Sequence, residues 1–279
     1  MNLKRSVALS VLFPRSRYAA AAFTRALTFL ADWPLDSVEF YYEGEDRATV
    51  ASALASSGLQ GIYIAVIALK GQDLSLCSPD EEQRAAACAL AHRCIDEAHE
   101  LGCRSVMINS GRHPGAALAE SAIEQFVRSV TELHEHAGQS GISLLLEPCD
   151  SQMDARNLLG PTGLSADVVR RLRRTIPDFA LTLDTAHIRE EGEDFLAEVS
   201  RATDCCDHLH FANCVVDDPS DPMYGDKHVG FDYPGSAFPP AELRRIFAAL
   251  QEIYQGRDCR IALEILCREP DPEDRKSVV

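Results

Sequence analysis

The sequence predicts an α/β protein folded as a single (β/α)8 barrel over residues 1–279, and three observations lead to that fold. Eight short runs rich in Val, Ile, Leu and Phe recur along the chain. Between them lie segments whose apolar residues repeat three or four positions apart, as in amphipathic helices. A chain of 279 residues has the length of one such barrel, and no linker divides it.

The apolar runs are nearly continuous rather than alternating, which is typical of parallel strands buried on both faces. In chain order the predicted strands are SVALSVLF (6–13), SVEFYY (37–42), GIYIAVIAL (61–69), SVMIN (105–109), ISLLLEP (142–148), FALTLDTAH (179–187), HLHFANC (208–214) and RIALEIL (260–266). Helices are predicted between these strands, because a parallel connection has to return across the sheet. They cover residues 19–33, 47–57, 81–101, 118–138, 165–176, 190–203 and 240–254.

Glycines mark the ends of several predicted helices. Gly58, Gly102, Gly141 and Gly256 each fall between a helix and the next strand. A residue without Cβ readily takes the left-handed conformation that ends a helix. These positions therefore support the predicted order of elements.

An open doubly wound sheet is the alternative fold. Against it, the stretch VLFPRSRYAA in and after the first strand has no Gly, so the glycine-rich loop that binds dinucleotide phosphates is absent. After the eighth strand only ILCREPDPEDRKSVV remains, which leaves room for about two helical turns. We therefore expect a short or truncated eighth helix, whose groove a partner subunit of a homo-oligomer would cover.

Composition limits the classes of partner. The chain has 43 acidic and 27 basic residues, and its formal charge is −16. Most of such a surface repels polyanions, so DNA, RNA and anionic membranes are disfavoured as partners. No apolar segment approaches the roughly 20 residues that span a bilayer. The expected partner is a small molecule.

The ten cysteines form no CxxC pair, and no secretory leader accompanies them. We expect reduced thiols and a cytoplasmic location. The adjacent Cys205 and Cys206 have two interpretations: ligands of a soft metal, or small residues between a helix and a strand. The second is simpler and is preferred.

Four predicted strands end in groups that bind metals or move protons: Glu147, Asp184, His210 and Glu264. In a (β/α)8 barrel the C-terminal ends of the strands meet at one mouth, where active sites lie. Buried carboxylates without a cation are strongly destabilising, and a divalent ion among them resolves the conflict. Mn²⁺, Mg²⁺ or Co²⁺ fits an oxygen-rich set with one His, and Zn²⁺ is the alternative.

Each of these residues also has a purely structural interpretation. A Glu at the end of a strand is usually a surface or loop-capping residue. Glu147 and Glu264 are instead embedded in apolar runs, where an ionised Glu is rare without a partner. Asp184 would alternatively cap the next helix. His208 and His210 are two apart and share one face of a strand. His210 is nearer the rim and is the expected ligand, whereas His208 is either a core residue or a group behind the ligands.

The segments LLLEP, LDTAH, HLHFAN, DKHVGFDYPG and ALEIL together resemble the xylose isomerase-like barrel superfamily of sugar isomerases and epimerases. Ketose 3-epimerases and inosose isomerases are the nearest functional models. The resemblance implies that Glu147, Asp184, His210 and Glu264 hold one divalent metal ion, and that the two glutamates are the acid and base. It also implies that His187 binds a substrate hydroxyl; the alternative is a surface His at a helix start.

The loop DKHVGFDYPG resembles the loop after the seventh strand in that family. Asp226 and His228 are expected to contact substrate, in preference to a second metal ion. Arg112 and His113, in the turn after the fourth strand, would contact a carboxylate or phosphate of the substrate or lie in a solvated loop.

The sequence also departs from the ketose 3-epimerases. They carry a further Glu shortly after the Glu of the fifth strand and an Arg after the His of the seventh. The corresponding stretches here read PCDSQMD and FANCVVDD, with neither residue. The metal ligands are thus retained, while the identity of the sugar is left open.

The expected function is a metal-dependent isomerase or epimerase of a small keto-sugar or cyclitol, with proton transfer through an enediolate between two glutamates. A lyase or dehydratase acting on a polyol or a shikimate-like acid is the first alternative, because its initial proton abstraction is the same. An abasic-site endonuclease is disfavoured by the charge of −16. A barrel that only binds a metabolite is the last alternative.

Overall fold

The structure, a computed structural model, describes residues 1–266. Eight parallel strands form one sheet in the order β1-β8-β7-β6-β5-β4-β3-β2. Their bounds are β1 Asn2–Val7, β2 Ser37–Phe40, β3 Gln60–Ile64, β4 Cys103–Ile108, β5 Ser143–Leu146, β6 Ala180–Asp184, β7 Cys206–Phe211 and β8 Asp258–Leu263. The predicted number and parallel direction of the strands are confirmed.

The first and second strands nearly close the sheet into a barrel. Ala8 forms a parallel bridge with Glu39. At the other end of the strands, the Asp36 N–H donates to the Arg5 carbonyl over 2.9 Å, and the Asp36 carboxylate accepts from the Arg5 N–H over 2.8 Å. These links confirm the (β/α)8 fold, and the open doubly wound alternative is wrong.

Helices surround the barrel and connect successive strands. They are α1 Leu9–Leu12, α2 Ala20–Phe29, α3 Arg47–Ser57, α4 Ala65–Gly71, α5 Glu81–Glu100, α6 Ala119–Gln139, α7 Thr162–Leu172, α8 Thr185–Glu190, α9 Phe195–Ala202 and α10 Pro240–Ile253. The four glycines expected at helix ends have φ angles between +66° and +79°. They end helices as predicted, because glycine adopts this conformation without a steric penalty.

Several predicted boundaries are wrong. The strands predicted over 6–13, 61–69 and 179–187 stop at Val7, Ile64 and Asp184, and most of the residues that follow lie in α1, α4 and α8. A short apolar run has the same pattern in a buried strand and in a buried helix, so periodicity does not separate them. The helix predicted over 190–203 begins only at Phe195, because Glu190 ends the preceding helix α8.

The main core lies between the outer face of the barrel and the helices. Phe23 of α2 is fully buried, and its ring lies 4.9 Å from that of Phe40 in a T-shaped pair. Phe40 in turn packs edge-on against Tyr63 at 5.9 Å. These contacts fix α2 against β2 and β3, which carry part of the barrel mouth.

Two predictions concern residues 267–279, which lie outside the described residues. One is the short or truncated eighth helix; the other is a single domain over residues 1–279, which stays a prediction.

Within residues 1–266, no helix has both the length and the apolar character to cross a membrane. Nine cysteines in that range are buried free thiols.

Replacing Phe23 with Ala should destabilise the fold by about 3–5 kcal/mol, because it leaves a cavity between α2 and β2. Denaturant unfolding of the metal-free protein measures the change. Leu118→Ala is the control, since the Leu118 side chain is 45% exposed, and it should cost well under 1 kcal/mol. Equal losses in the two variants would contradict the described core.

Candidate metal centre and active site

Four side chains converge at the C-terminal rim of the barrel. Asp184 ends β6 and His210 lies in β7, directly opposite Asp184 in the strand register. Glu147 and Glu264 are the first residues after β5 and β8. One ligand atom from each of the four residues lies within 4.8 Å of the others, and all four residues are buried. The convergence expected from the strand ends is therefore present.

His210 lies at the centre of this group. Its Nδ1 atom is 2.5 Å from Oε2 of Glu264, 3.0 Å from Oε1 of Glu147 and 3.9 Å from Oδ2 of Asp184. Nevertheless Nδ1 of His210, Oε2 of Glu264 and Oδ2 of Asp184 are buried without a hydrogen-bond partner. Potential metal ligands that lie this close together, three of them without a hydrogen bond, fit a shared divalent cation.

Asp184 serves two purposes with its two oxygens. Oδ1 accepts hydrogen bonds from the backbone N–H groups of Ala186 at 2.6 Å and His187 at 3.1 Å, which caps α8. Oδ2 has no partner and faces His210. The helix-cap interpretation is therefore right, and it leaves one oxygen available to a metal.

The pKa of His210 indicates that this side chain carries a positive charge among the carboxylates. Burial lowers the pKa of His210, but Glu264, Glu39 and Glu147 raise it well above its usual value. Burial raises the pKa of Glu264, yet His210 and His228 bring it down to about 2. In the metal-free protein the imidazolium therefore offsets part of the negative charge. A divalent ion held by these four residues would offset more of it.

Glu39, on β2, is a site residue that the sequence analysis missed. Its side chain is fully buried, with Oε2 2.9 Å from Nε2 of His210 and Oε1 2.9 Å from Nε2 of His208. Burial would raise the pKa of Glu39, but the two histidines lower it well below its usual value. Glu39 thus orients His210 so that Nδ1 faces the three other carboxylates. His208 is a group behind the ligands.

His187, Asp226 and His228 form a second polar group at the mouth. Oδ1 of Asp226 lies 2.8 Å from Nε2 of His228 and 3.6 Å from Nε2 of His187, and Oδ2 accepts a hydrogen bond from Lys70 at 3.2 Å. Nδ1 of His228 lies 3.6 Å from Oε1 of Glu264. His187 is only 4% exposed, so its interpretation as a surface residue is wrong.

Both polar groups face one pocket of about 280 Å³. One part of its wall carries Glu147, Glu264 and the second polar group. The other part is largely aliphatic, and the residues that form it are Val11, Ile64, Val66, Ile67 and Leu266. A molecule of the size of a small sugar would meet ionisable groups on one side and apolar groups on the other.

The two candidate substrate contacts in the turn after β4, Arg112 and His113, make contacts of different kinds. Arg112 is paired with Asp73 over 3.3 Å, and its side chain is 60% exposed. It lines a separate, smaller cavity rather than the pocket that carries Glu147 and Glu264. His113 accepts a hydrogen bond from the Gly115 N–H at 2.9 Å, within its own turn.

Glu190, at the end of α8, is a second group that the sequence analysis missed. It is 6% exposed, and neither carboxyl oxygen has a hydrogen-bond partner. One of its oxygens lies within 4.8 Å of ligand atoms of His187 and Asp226. Burial raises the pKa of Glu190 to about 8. The run of acids after LDTAH is the sequence signal for this residue, although its position predicts the start of a helix.

A family model described as a xylose isomerase-like TIM barrel matches residues 27–276. Among solved structures, D-allulose 3-epimerase from Methylomonas sp. is similar, with a TM-score of 0.72 and 20% identity over 99% of this chain and 90% of that one. None of the curated proteins compared with this chain matches it.

Two other solved structures share the fold. An AP endonuclease of family 2 from Brucella melitensis has a TM-score of 0.67 and 16% identity over 98% of this chain and 96% of that one. The 3-keto-D-glucoside 4-epimerase from E. coli has a TM-score of 0.64 and 15% identity over 100% and 97%. At these identities the likeness shows the fold alone.

Replacing Glu39 with Gln should weaken Mn²⁺ binding about 10–100-fold, because the amide holds the two histidines less firmly. Isothermal titration calorimetry measures the affinity. Glu45→Gln, at an exposed position in the loop after β2, is the matched control and should bind as the wild type does. Unchanged affinity in a folded Glu39→Gln variant would show that this carboxylate does not support a metal site.

Replacing Glu190 with Gln should raise the melting temperature of the metal-free protein at pH 9 more than at pH 5. The carboxyl has a folded pKa of about 8 against an ordinary 4.5, so it destabilises the fold increasingly as pH rises between these values. The expected gain is several degrees, at roughly 2–4 °C per kcal/mol. Equal gains at both pH values would contradict a charge effect.

Proposed function

Because the chain belongs to the xylose isomerase-like TIM barrel family, we propose that it is an isomerase or epimerase of a small keto-sugar or cyclitol and depends on one divalent metal ion. The observation that carries the proposal is the cluster of Glu147, Asp184, Glu264 and His210, four buried residues that each offer one ligand atom within 4.8 Å of the others. D-allulose 3-epimerase and 3-keto-D-glucoside 4-epimerase, both named for sugar substrates, share the fold and support the choice of substrate class.

The four clustered residues would hold the metal, with Mn²⁺, Mg²⁺ or Co²⁺ favoured by the oxygen-rich donor set. When bound, it supplies a Lewis acid that polarises the substrate carbonyl and offsets the charge of the enediolate. The chain itself supplies the groups that move the proton.

Glu147 and Glu264 are the proposed acid and base. They follow β5 and β8, which are separated in the sheet by β6 and β7, so they reach the pocket from different positions on the rim. One carboxylate removes a proton from the carbon next to the carbonyl, and the other returns a proton to complete the reaction. Both residues are buried, with 4% and 7% of their surface exposed, and both line the pocket.

His187, Asp226 and His228 are the proposed substrate contacts. They line the pocket beside Glu264, and their close packing fixes their positions. Lys70 anchors Asp226 from α4. Imidazole and carboxylate groups bind sugar hydroxyls as donors and acceptors, so this group would orient the carbon chain over the catalytic pair.

Deuterium exchange tests the proposal most directly. The Mn²⁺-loaded protein, incubated in D₂O with D-allulose, L-ribulose, D-fructose and inosose, should place deuterium on the carbon next to the carbonyl, as seen by NMR. Exchange with sugar products identifies an isomerase or epimerase, whereas loss of water from the substrate identifies the lyase or dehydratase alternative. No exchange with any of these compounds would contradict the proposed function.

Glu264→Gln should reduce this exchange by at least about 100-fold, because a neutral side chain of the same size removes a base and a charged ligand. The circular dichroism spectrum should be unchanged. Glu252→Gln, at an exposed position on α10, is the matched control and should exchange as the wild type does. Full exchange in folded Glu264→Gln would exclude this residue from proton transfer.

A further inference from the structure

The loop after β7, residues 212–239, carries the proposed substrate contact His228 in a strained backbone conformation. The φ angle of His228 is +43°, in the left-handed region that is unfavourable for a residue with a Cβ. The His228 carbonyl accepts a hydrogen bond from the Leu266 N–H at 2.7 Å, and the Val229 N–H donates to the Asn213 carbonyl at 2.9 Å. Strained backbone persists where surrounding contacts hold it, so the chain that leads into His228 needs support as well.

Asp154, in the loop after β5, supplies support on that side. Its Oδ2 atom accepts a hydrogen bond from the Asp226 N–H at 2.8 Å and another from Nζ of Lys227 at 3.0 Å. Hydrogen bonds to an ionised carboxylate are stronger than bonds between neutral groups. Asp226 and Lys227 directly precede His228, so Asp154 holds the backbone that enters the strained residue.

Gly225 shows how closely the two loops approach each other. Its φ angle is +88°, and a Cβ on this residue would overlap Oδ2 of Asp154. A side chain at position 225 would therefore push the Asp154 carboxylate away from the Asp226 N–H. Glycine is required here by its backbone conformation and by this contact.

Asp154 is itself held in place by Asp150, which is fully buried. Oδ2 of Asp150 accepts a hydrogen bond from the Met153 N–H at 2.6 Å, and Oδ1 accepts one from the Ala155 N–H at 2.7 Å. These bonds fix the backbone on both sides of residue 154. The Asp154 carboxylate therefore has a defined position, although its side chain is 42% exposed.

Asp154 acts on the second polar group and not on the metal cluster. Within residues 1–266 its hydrogen bonds and ion pairs go to Asp226 and Lys227, and it does not line the pocket that carries Glu147 and Glu264. The Asp226 side chain is held separately, by Lys70. Loss of Asp154 would thus free the backbone beside His228 without removing a group from the pocket.

We propose that Asp154 is a positioning residue, which holds Asp226 and His228 where a bound substrate meets them. The inference rests on the proposed function, which makes these two residues substrate contacts. The substitution of Asp154 should therefore weaken substrate binding and leave metal binding intact.

A double-mutant cycle between Asp154 and Gly225 tests this role. The Mn²⁺-loaded wild type, Asp154→Ala, Gly225→Ala and the double variant are assayed by deuterium exchange with D-allulose, L-ribulose and D-fructose. Asp154→Ala should raise KM by about tenfold, because the backbone of Asp226 loses a charge-assisted hydrogen bond. Gly225→Ala should also raise KM. The double variant should be no worse than Gly225→Ala, because both changes break the same contact.

Two further variants and two measurements complete the test. Asp154→Asn keeps an oxygen that accepts from the Asp226 N–H, so it should recover most of the wild-type KM. Asp178→Ala, at an exposed position in the turn before β6, is the matched control and should exchange as the wild type does. Calorimetry should give the wild-type Mn²⁺ affinity for every variant, and a thermal melt establishes that each is folded.

A wild-type KM in folded Asp154→Ala, additive losses in the double variant, or a loss of Mn²⁺ affinity that accompanies the change in KM would overturn the positioning role alone. If Asp154→Ala does not fold, the KM of Gly225→Ala decides by the same criterion. Exchange with no ketose by the wild type would overturn the proposed function and this inference with it.

Discussion

Three carboxylates buried together at the barrel mouth require a positive charge among them. Glu147, Asp184 and Glu264 come from three strands whose ends the parallel barrel brings to one rim. Their mutual repulsion in a buried site would be severe without a cation. His210, placed among them by the neighbouring strand, offsets part of that repulsion, and a divalent ion would offset more. The remaining features of the site follow from this constraint.

Glu39 links the carboxylate cluster to the barrel through the two histidines of β7. It lies on β2, across the barrel from β7, and its two oxygens contact His208 and His210 inside the barrel. A buried carboxylate with two imidazole partners sets the direction of His210 and keeps its Nδ1 on the ligand side. The barrel interior is therefore a polar support beneath the mouth at this point, while the apolar core lies outside the sheet.

The sequence was sufficient for the fold and for the four clustered residues, because each of them interrupts or ends an apolar run at the end of a parallel strand. Glu39 carries the same signal in SVEFYY, but its partners lie 169 and 171 residues away, a distance that spacing does not reveal. The predicted ends of β1, β3 and β6 are wrong because the predicted strands run on into buried helices.

The metal content of the purified protein is the measurement that tests the central claim most directly. Mass spectrometry after loading with Mn²⁺, Mg²⁺, Co²⁺ or Zn²⁺ in turn, followed by removal of free ions, gives the number bound per chain. The account predicts about one divalent ion per chain, and a lower melting temperature once a chelator removes it. A protein that binds none of these ions, with a melting temperature that none of them changes, would contradict the account.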